Sequence, residues 1–253
     1  MKALVLAAGY ATRLRPLTDS VPKQLLPVGG RPMVDWILDK IRAAPIEEIH
    51  LVTNARFAPD FDRWANGKDV VVHDDGTTSN EDRLGAIGDV RFVQERADVD
   101  DDMLVIAGDN LFDYALGELL DFWREKGAAS AVAVHDVGDR ELVRKYSIVE
   151  LDADDRIVDF VEKPENPQTT LAATATYVYA REPAGLVSKY LDEGNPPDQP
   201  GNYVAWLHRR APVYAYRFAG GWYDIGDAAQ LLEADNMLRE RAGLPPRTEY
   251  ALD

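Results

Sequence analysis

Apolar and polar positions follow two alternating periods along the first half of the chain. Short apolar runs, which predict buried strands, lie at residues 2–6, 49–53, 70–73 and 103–107. Apolar residues spaced by three and four positions, which predict one face of a helix, are Val34, Ile37, Leu38 and Ile41, and further helices are expected at residues 57–64 and 85–92. This alternation predicts a parallel sheet with helices on both faces and ligands at the carboxyl ends of its strands.

The second half of the chain has a more mixed pattern. Strands are predicted at residues 130–137, 147–151, 157–161, 174–179 and 213–218. Helices are predicted at residues 115–126, 183–191 and around 231–237, and residues 195–201 are expected to form a rigid surface loop. An acidic turn joins the second and third strands, so antiparallel pairing and a mixed topology are expected there.

Composition narrows the class of protein. The chain has 253 residues, 46% of them hydrophobic, which suits one large α/β domain. It contains no cysteine, and its four histidines are scattered without ligand-like spacing, so a metal would have to be held by oxygen ligands. A net charge of -16 argues against nucleic acid as a partner. The sequence has neither a signal-peptide pattern nor an apolar stretch long enough for a membrane, and a cytoplasmic protein is therefore expected.

The polar segment after the first strand, residues 6–27, carries candidate phosphate-binding groups. Small residues end the strand at Gly9, Arg13 offers a fork of donors to phosphate oxygens, and Lys23 follows a proline. Pro16 and Pro22 exclude a continuous helix and predict an ordered, extended loop. Taken alone, Arg13 and Lys23 could equally be solvated surface charges.

The whole run resembles the signature of the sugar-nucleotide pyrophosphorylases, the nucleotidylyltransferases that include glucose-1-phosphate thymidylyltransferase. The matching pieces are Leu-Ala-Ala-Gly, Thr-Arg-Leu, Pro-Leu-Thr, Pro-Lys and Leu-Leu-Pro-Val. The resemblance extends to about residue 238. It implies an α/β fold of the nucleotide-diphospho-sugar transferase type, a Rossmann-like mixed, mostly parallel sheet flanked by helices. The single domain would consist of a nucleotide-binding half (1–130), a sugar-phosphate-binding half (131–241) and a tail (242–253).

Two aspartates are candidate Mg²⁺ ligands. Asp109 follows the most apolar strand, which would deliver its carboxylate to the ligand crevice, although an isolated Gly-Asp is more often a turn. The resemblance favours a metal ligand, because Gly-Asp-Asn-Leu-Phe marks one in several thymidylyltransferases. Asp224 lies in a Trp-Tyr-Asp-Ile-Gly-Asp run similar to the family's second magnesium motif, with Asp227 where threonine is usual.

The resemblance also implies roles for further residues. Arg13 would stabilise the departing pyrophosphate, Lys23 would contact the nucleotide phosphates, and Lys163 would bind the phosphate of the sugar 1-phosphate; these three are the catalytic candidates. The nucleotide-binding candidates are Leu6, Ala8, Gly9, Thr12, Arg13, Lys23, Thr78, Asn80, Gly85 and Asp109. The substrate-binding candidates are Tyr146, Ser147, Glu162, Lys163 and Thr174. Without the family, Glu162 and Lys163 would be interpreted as a surface ion pair.

Several positions depart from the family pattern. Ala11 replaces the second glycine of Gly-x-Gly-Thr-Arg, and alanine is expected there only if φ is negative. Ala175 stands in a glycine-like position. The glutamine that often holds the base is absent, so Thr78, Ser79 and Asn80 are either its replacement or part of an exposed connection. The identity of the sugar is left open.

The predicted activity is Mg²⁺-dependent transfer of a nucleotidyl group from a nucleoside triphosphate, with dTTP or UTP favoured by analogy, to a sugar 1-phosphate. The alternatives are a non-catalytic nucleotide-sugar sensor and a nucleotidyltransferase acting on a non-sugar phosphate such as a phospho-alcohol. A dinucleotide-dependent dehydrogenase is disfavoured because Gly-x-Gly-x-x-Gly is absent, and a P-loop ATPase because its motif is absent. A homo-oligomer is an open alternative by analogy with relatives.

Overall fold

One mixed sheet organises the computed structural model, which describes residues 1–252. The strands are β1 (Lys2–Leu6), β2 (Pro27–Val28), β3 (Arg31–Pro32), β4 (Glu48–Thr53), β5 (Val71–Asp74), β6 (Met103–Ala107), β7 (Asn110–Phe112), β8 (Ser130–Asp136), β9 (Ser147–Leu151), β10 (Ile157–Glu162), β11 (Leu171–Tyr179), β12 (Val213–Arg217) and β13 (Trp222–Asp224). The helices are α1 (Met33–Arg42), α2 (Ala58–Ala65), α3 (Ala86–Arg96), α4 (Leu116–Glu125), α5 (Arg140–Val143), α6 (Arg181–Gly185), α7 (Val187–Asp192), α8 (Pro200–Leu207) and α9 (Ala228–Arg241).

The order of strands divides the sheet into a parallel and a largely antiparallel part. Its main path is β10-β9-β11-β6-β1-β4-β5, and β8 pairs with both β11 and β12. β1 lies parallel to β4 and β6, whereas β11 runs antiparallel to β6, β8 and β9. Leu6 pairs with both Val52 and Ala107, so these three strands end at one edge of the sheet. The predicted mixed α/β fold is confirmed, and the phosphate-binding candidates follow this edge.

The alternation along β1 separates two apolar layers. Ala3 and Val5 belong to the cluster that packs against α1, α2, α4 and α9, while Leu4 belongs to the cluster on the other face with α3, α7 and α8. Because neighbouring side chains of a strand point to opposite faces, a buried strand must be apolar at every position, as the uninterrupted run predicted.

The structure corrects three details of the predicted elements. The helix expected at residues 183–191 is two helices, α6 and α7, which meet at Leu186. The surface loop expected at residues 195–201 gives way to α8 at Pro200. The extended loop of residues 6–27 contains three short 3-10 turns, because its prolines interrupt each one before a full helix forms.

The segment after α9 is not a featureless tail. The Tyr250 side chain is buried and its hydroxyl donates to the carbonyl of Pro27 at 2.8 Å, while the backbone N–H of Arg247 donates to Asn236 Oδ1 at 2.7 Å. These contacts join residues 247–250 to α9 and to Pro27, at the end of the loop of residues 6–27. Within residues 1–252, no helix has the length and apolar character needed to cross a membrane.

Candidate active site

The strand ends at the parallel edge are held tightly together. The side chain of Asn54, just beyond β4, donates to the carbonyl of Ala8 at 2.9 Å and accepts from the N–H of Phe57 at 3.2 Å. Gly108, just beyond β6, donates to the carbonyl of Leu6 at 2.9 Å. A Cβ at Gly108 would lie 2.9 Å from that same oxygen, so only glycine permits this approach. The loop therefore begins from a fixed position.

The backbone at Ala11 contradicts the expected negative φ. Its φ is 45° and its ψ is 44°, which is the left-handed region that favours glycine. The carbonyl of Ala11 accepts from Thr18 Oγ1 at 2.9 Å and from the N–H of Leu14 at 3.0 Å, which hold this conformation. Ala175 is also left-handed, with φ of 52°, at an irregularity in β11. Both alanines keep a glycine-like backbone at an intrinsic cost of about 1 kcal/mol each.

A small two-stranded sheet brings the two metal candidates together. β7 pairs antiparallel with β13, so that Asp224 lies opposite Asn110, the neighbour of Asp109. The amide nitrogen of Asn110 donates to Asp109 Oδ1 at 2.9 Å and to Asp224 Oδ1 at 3.3 Å. Trp222 Nε1 donates to the amide oxygen of Asn110 at 2.7 Å, which turns the NH₂ group toward the carboxylates.

The electrostatic environments of the two carboxylates differ. Lys23 is 7% exposed and its ammonium lies 2.6 Å from Asp109 Oδ2. Although burial alone would raise the pKa of Asp109, the Lys23 charge and hydrogen bond hold that pKa below its usual value. Burial, followed by the negative charge of Asp109, raises the pKa of Asp224 to about 6. The pair therefore carries excess negative charge that a cation would relieve.

The donor set fits Mg²⁺. Among residues 1–252 no group of three or more His, Cys, Asp or Glu side chains could hold a metal ion, and at this site the carboxylates brought together by the Asn110 amide are those of Asp109 and Asp224. Mg²⁺ is often held by one or two carboxylates, with phosphate oxygens and water completing the octahedron. Arg13 belongs to the same neighbourhood, since a Cβ on Gly226 would lie 3.3 Å from Arg13 Nη2 and the Arg13 charge acts to lower the pKa of Asp224.

A second cluster contains the candidates of the other half. Lys163 follows β10 with a left-handed φ of 43°, and its ammonium lies 3.5 Å from Glu162 Oε1. The hydroxyl of Ser147 donates to Glu162 Oε2, and a Cβ on Gly201 would lie 2.7 Å from that hydroxyl oxygen. The ring of Tyr146 contacts that of Trp222, with 4.7 Å between centroids. Trp222 therefore links this cluster to the paired aspartates.

A cleft of about 450 Å³ opens beside the parallel edge. Its predicted lining residues are Leu6, Ala8, Gly9, Thr12, Arg13, Asn80, Gly85 and Asp109. Two of the nucleotide-binding candidates, Lys23 and Thr78, lie outside this lining, as does the substrate-binding candidate Thr174. Lys23 is paired to Asp109, and Thr78 donates through both its N–H and its hydroxyl to Asp82. Thr174 is fully buried and donates to the carbonyl of Ala133 at 3.0 Å, which is an interior position.

Several lining residues were not identified from the sequence. They are Tyr10, Ala11, Gln24, Arg83, Ala86, Asp89, Ala107, Asp198, Gln199 and Pro200. Arg83 binds Asp198 through two hydrogen bonds of 2.9 and 2.7 Å, and a Cβ on Gly85 would lie 2.7 Å from the backbone of Pro197. Residues 198–200, within the segment expected to be a surface loop, therefore form one wall of the cleft. No local sequence signal could place Asp198 there, because its partner Arg83 lies more than a hundred positions earlier in the chain.

The mixed α/β fold, the cleft lined by Arg13 and the paired carboxylates are together suited to phosphate chemistry. The sequence model of the family described as nucleotidyl transferase matches residues 2–241. The chain belongs to this family, and the resemblance inferred from its motifs is confirmed.

Relatives and solved structures agree with this assignment. The UTP–glucose-1-phosphate uridylyltransferase of Synechocystis sp. is 29% identical over 245 residues, which cover 92% of this chain and 62% of the relative. The mannose-1-phosphate guanylyltransferase of Mycobacterium tuberculosis is 36% identical over 179 residues, which cover 71% of this chain and 48% of the relative. The chain thus spans less than two thirds of each. The structure of the UTP-bound UGPase from Acinetobacter baumannii shares the fold with a TM-score of 0.76 at 22% identity, covering 96% of both chains.

Proposed function

We propose that the protein catalyses Mg²⁺-dependent transfer of a nucleotidyl group from a nucleoside triphosphate to a sugar 1-phosphate, releasing pyrophosphate. The observation that carries this proposal is the approach of Asp109 and Asp224, both bonded by the Asn110 amide, beside a cleft that Arg13 lines. A protein that bound a nucleotide without a metal ion would gain nothing from two adjacent carboxylates, since they repel its phosphates.

Bound Mg²⁺ would supply charge neutralisation at the α-phosphate and orient it for in-line attack. Asp109 and Asp224 would hold the ion, with Asn110 restraining both carboxylates. Arg13 would stabilise the charge that grows on the departing pyrophosphate, and Lys163 would hold the phosphate that attacks. No protein nucleophile is required, because holding two anions at the correct angle is the main task.

The proposal also specifies the base of the nucleotide and the chemical class of the acceptor. The family resemblance favours dTTP or UTP, and relatives named as uridylyl, guanylyl and adenylyl transferases show that the family's base choice varies. A sugar 1-phosphate is the acceptor class in those names. A cytoplasmic location and a homo-oligomeric state remain predictions from the sequence.

The test is pyrophosphate release from five nucleoside triphosphates against a panel of sugar 1-phosphates, with Mg²⁺ and with chelator. Release that requires both Mg²⁺ and one sugar 1-phosphate is the expected result. Release that occurs only when a phospho-alcohol is supplied would mean that the acceptor is a non-sugar phosphate. Nucleotide binding without release across the panel would contradict the proposal and favour a nucleotide-sugar sensor.

A further inference from the structure

Two aspartates outside the metal pair meet at the wall of the cleft. Asp89 lies in the first turn of α3, is 5% exposed and lines the cleft, and Asp75 directly follows β5. Asp75 Oδ1 accepts from both the N–H and the hydroxyl of Thr77, each at 2.7 Å. Asp75 Oδ2 and Asp89 Oδ1 are enclosed and have no protein donor.

The two carboxyls face each other and must share a proton. Burial, followed by the neighbouring charge of Asp75, raises the pKa of Asp89 to about 8. Burial also raises the pKa of Asp75, with a further contribution from Asp74. Two adjacent buried carboxylates cannot both ionise near neutral pH, so one proton lies between the enclosed oxygens and the pair keeps one negative charge. The remaining oxygen of Asp89 is then a hydrogen-bond acceptor.

The position of this pair in the cleft identifies what it can contact. The triphosphate must lie near Arg13, Lys23 and the metal ligands, because those groups attract phosphate and the Asp75–Asp89 pair repels it. The base is left with the part of the cleft formed by Tyr10, Gly85 and Asp89.

Backbone donors are scarce at this end. The N–H groups of Ala86 and Ile87, which open α3, already donate to the carbonyls of Asp198 at 3.3 Å and Pro197 at 2.8 Å. A base cannot use these amides without displacing the loop. The remaining acceptor oxygen of the Asp89 carboxyl is therefore the main polar feature that α3 presents to the base.

We propose that the Asp75–Asp89 pair reads the nucleobase and selects an exocyclic amino group, so that cytosine, adenine or guanine nucleotides bind in preference to uracil and thymine nucleotides. An amino N–H is complementary to the acceptor oxygen of Asp89, whereas uracil in the position of cytosine would present its C4 carbonyl to that oxygen, acceptor against acceptor. This inference rests on the proposed function for the presence of a nucleoside triphosphate in the cleft. It departs from the dTTP or UTP expectation carried by the family resemblance.

The test is isothermal titration of the whole protein with CTP, ATP, GTP, UTP and dTTP, without any sugar phosphate. CTP and UTP give the most direct comparison, since their bases differ only at C4, an amino group against a carbonyl, and at N3, an acceptor against a donor. At least one amino-bearing triphosphate is expected to bind about tenfold or more tightly than UTP, as a mismatched buried polar group implies. UTP or dTTP binding as tightly as the best of the others would overturn the inference alone. Binding of none of the five would overturn the proposed function, and the inference with it.

Two substitutions separate base reading from a structural role. In Asp89→Asn the amide can turn its NH₂ group toward the carbonyl of a uracil base. The ratio of the affinities for amino-bearing triphosphates and for UTP is therefore expected to fall to about one. In Asp75→Asn the new amide donates to Asp89 and leaves it fully ionised, so the preference should persist or increase. Asp98→Asn removes the same charge from an exposed position after α3 and should change nothing. An unaltered preference in a folded Asp89→Asn protein, or its loss in Asp75→Asn alone, would contradict the assignment.

Discussion

The two halves of the molecule each contribute a lysine to the candidate active site, but the two lysines are held very differently. The Lys23 side chain is 8% exposed and forms a 2.6 Å ion pair with Asp109. The Lys163 side chain is 53% exposed and lies 3.5 Å from a glutamate oxygen. The first charge is neutralised before any ligand arrives, and the second is largely free to meet an incoming anion.

The strand arrangement explains this difference. Lys23 belongs to a loop that starts at the aligned ends of parallel strands, where neighbouring elements enclose it. Lys163 follows β10, which pairs only with β9 at the margin of the sheet along its main path. The half up to residue 130 is therefore expected to be rigid and internally balanced in charge, and the half from residue 131 to complete its charge balance on binding a ligand.

The largest effect should follow from Lys23→Met, which leaves Asp109 and Asp224 without their buried cation. We expect a loss of about 3 kcal/mol in the free energy of unfolding, because removal of one partner strands a buried charge. Turnover should also fall at least a hundredfold. Urea unfolding in chelator and pyrophosphate release in Mg²⁺ measure the two effects.

Lys2→Met is the matched control for this change. Lys2 forms an ion pair of the same length, 2.6 Å, with Glu48 at the surface. Little change in stability is expected there, because water screens the pair. Equal losses in the two variants would remove the distinction between the buried and the exposed lysine.

Replacement of the exposed cations should affect catalysis and spare stability. Arg13→Ala and Lys163→Ala are each expected to lose about 2.7 to 4 kcal/mol of transition-state stabilisation, the amount typical of a positioned electrostatic group. Lys163→Ala should also raise KM for the sugar 1-phosphate, whereas Arg13→Ala should leave it nearly unchanged. Steady-state kinetics with each substrate varied separates the two. Near-normal turnover in either variant would refute its assigned role.

The acid pair of the nucleotide half predicts a pH dependence of stability. The pKa of Asp89 is about 8 in the folded protein and ordinary in the unfolded chain, so the folded state binds more protons between these values. Stability should then fall as pH rises from about 4 to 8, by up to about 1.4 kcal/mol per pH unit. Urea unfolding at pH 5, 6.5 and 8 should show a flatter profile for Asp89→Asn. Parallel profiles would exclude the shared proton.

The smallest effect concerns the two left-handed alanines, one in each half. Ala11→Gly and Ala175→Gly should each stabilise by about 0.5 kcal/mol, because relief of backbone strain slightly exceeds the entropy that glycine costs. Ala229→Gly, at an exposed and ordinary helical position in α9, should destabilise by a similar amount. Thermal unfolding measures all three. Destabilisation in all three would mean that packing, rather than strain, dominates at residues 11 and 175.

Sequence reasoning succeeded where a local pattern determines position. An apolar strand followed by Asp109 predicts a carboxylate at the sheet edge, because strand ends and ligand sites coincide in this fold class. The helical period also predicted α1 and α4 well. The family was recognisable from motifs whose residues are adjacent in the chain.

Sequence reasoning failed where position depends on distant contacts. Asp89 has the appearance of an ordinary helical polar residue, and only the approach of Asp75 and the loop at Asp198 makes it a buried cleft residue. Ala11 shows a second limit, since hydrogen bonds from Thr18 and Leu14 impose a φ that the residue type disfavours. Tertiary structure overrides local preference at both positions.

The pairing of β7 with β13 has a consequence for how the protein is made. Asn110 and Asp224 are 114 positions apart, so the two carboxylates cannot meet until β13 has left the ribosome. A nascent chain that ended before β13 would carry Lys23 and Asp109 but would leave β7 as an open edge, a site for unwanted association. The candidate metal pair therefore forms only when β13 pairs with β7, and its formation reports on that pairing.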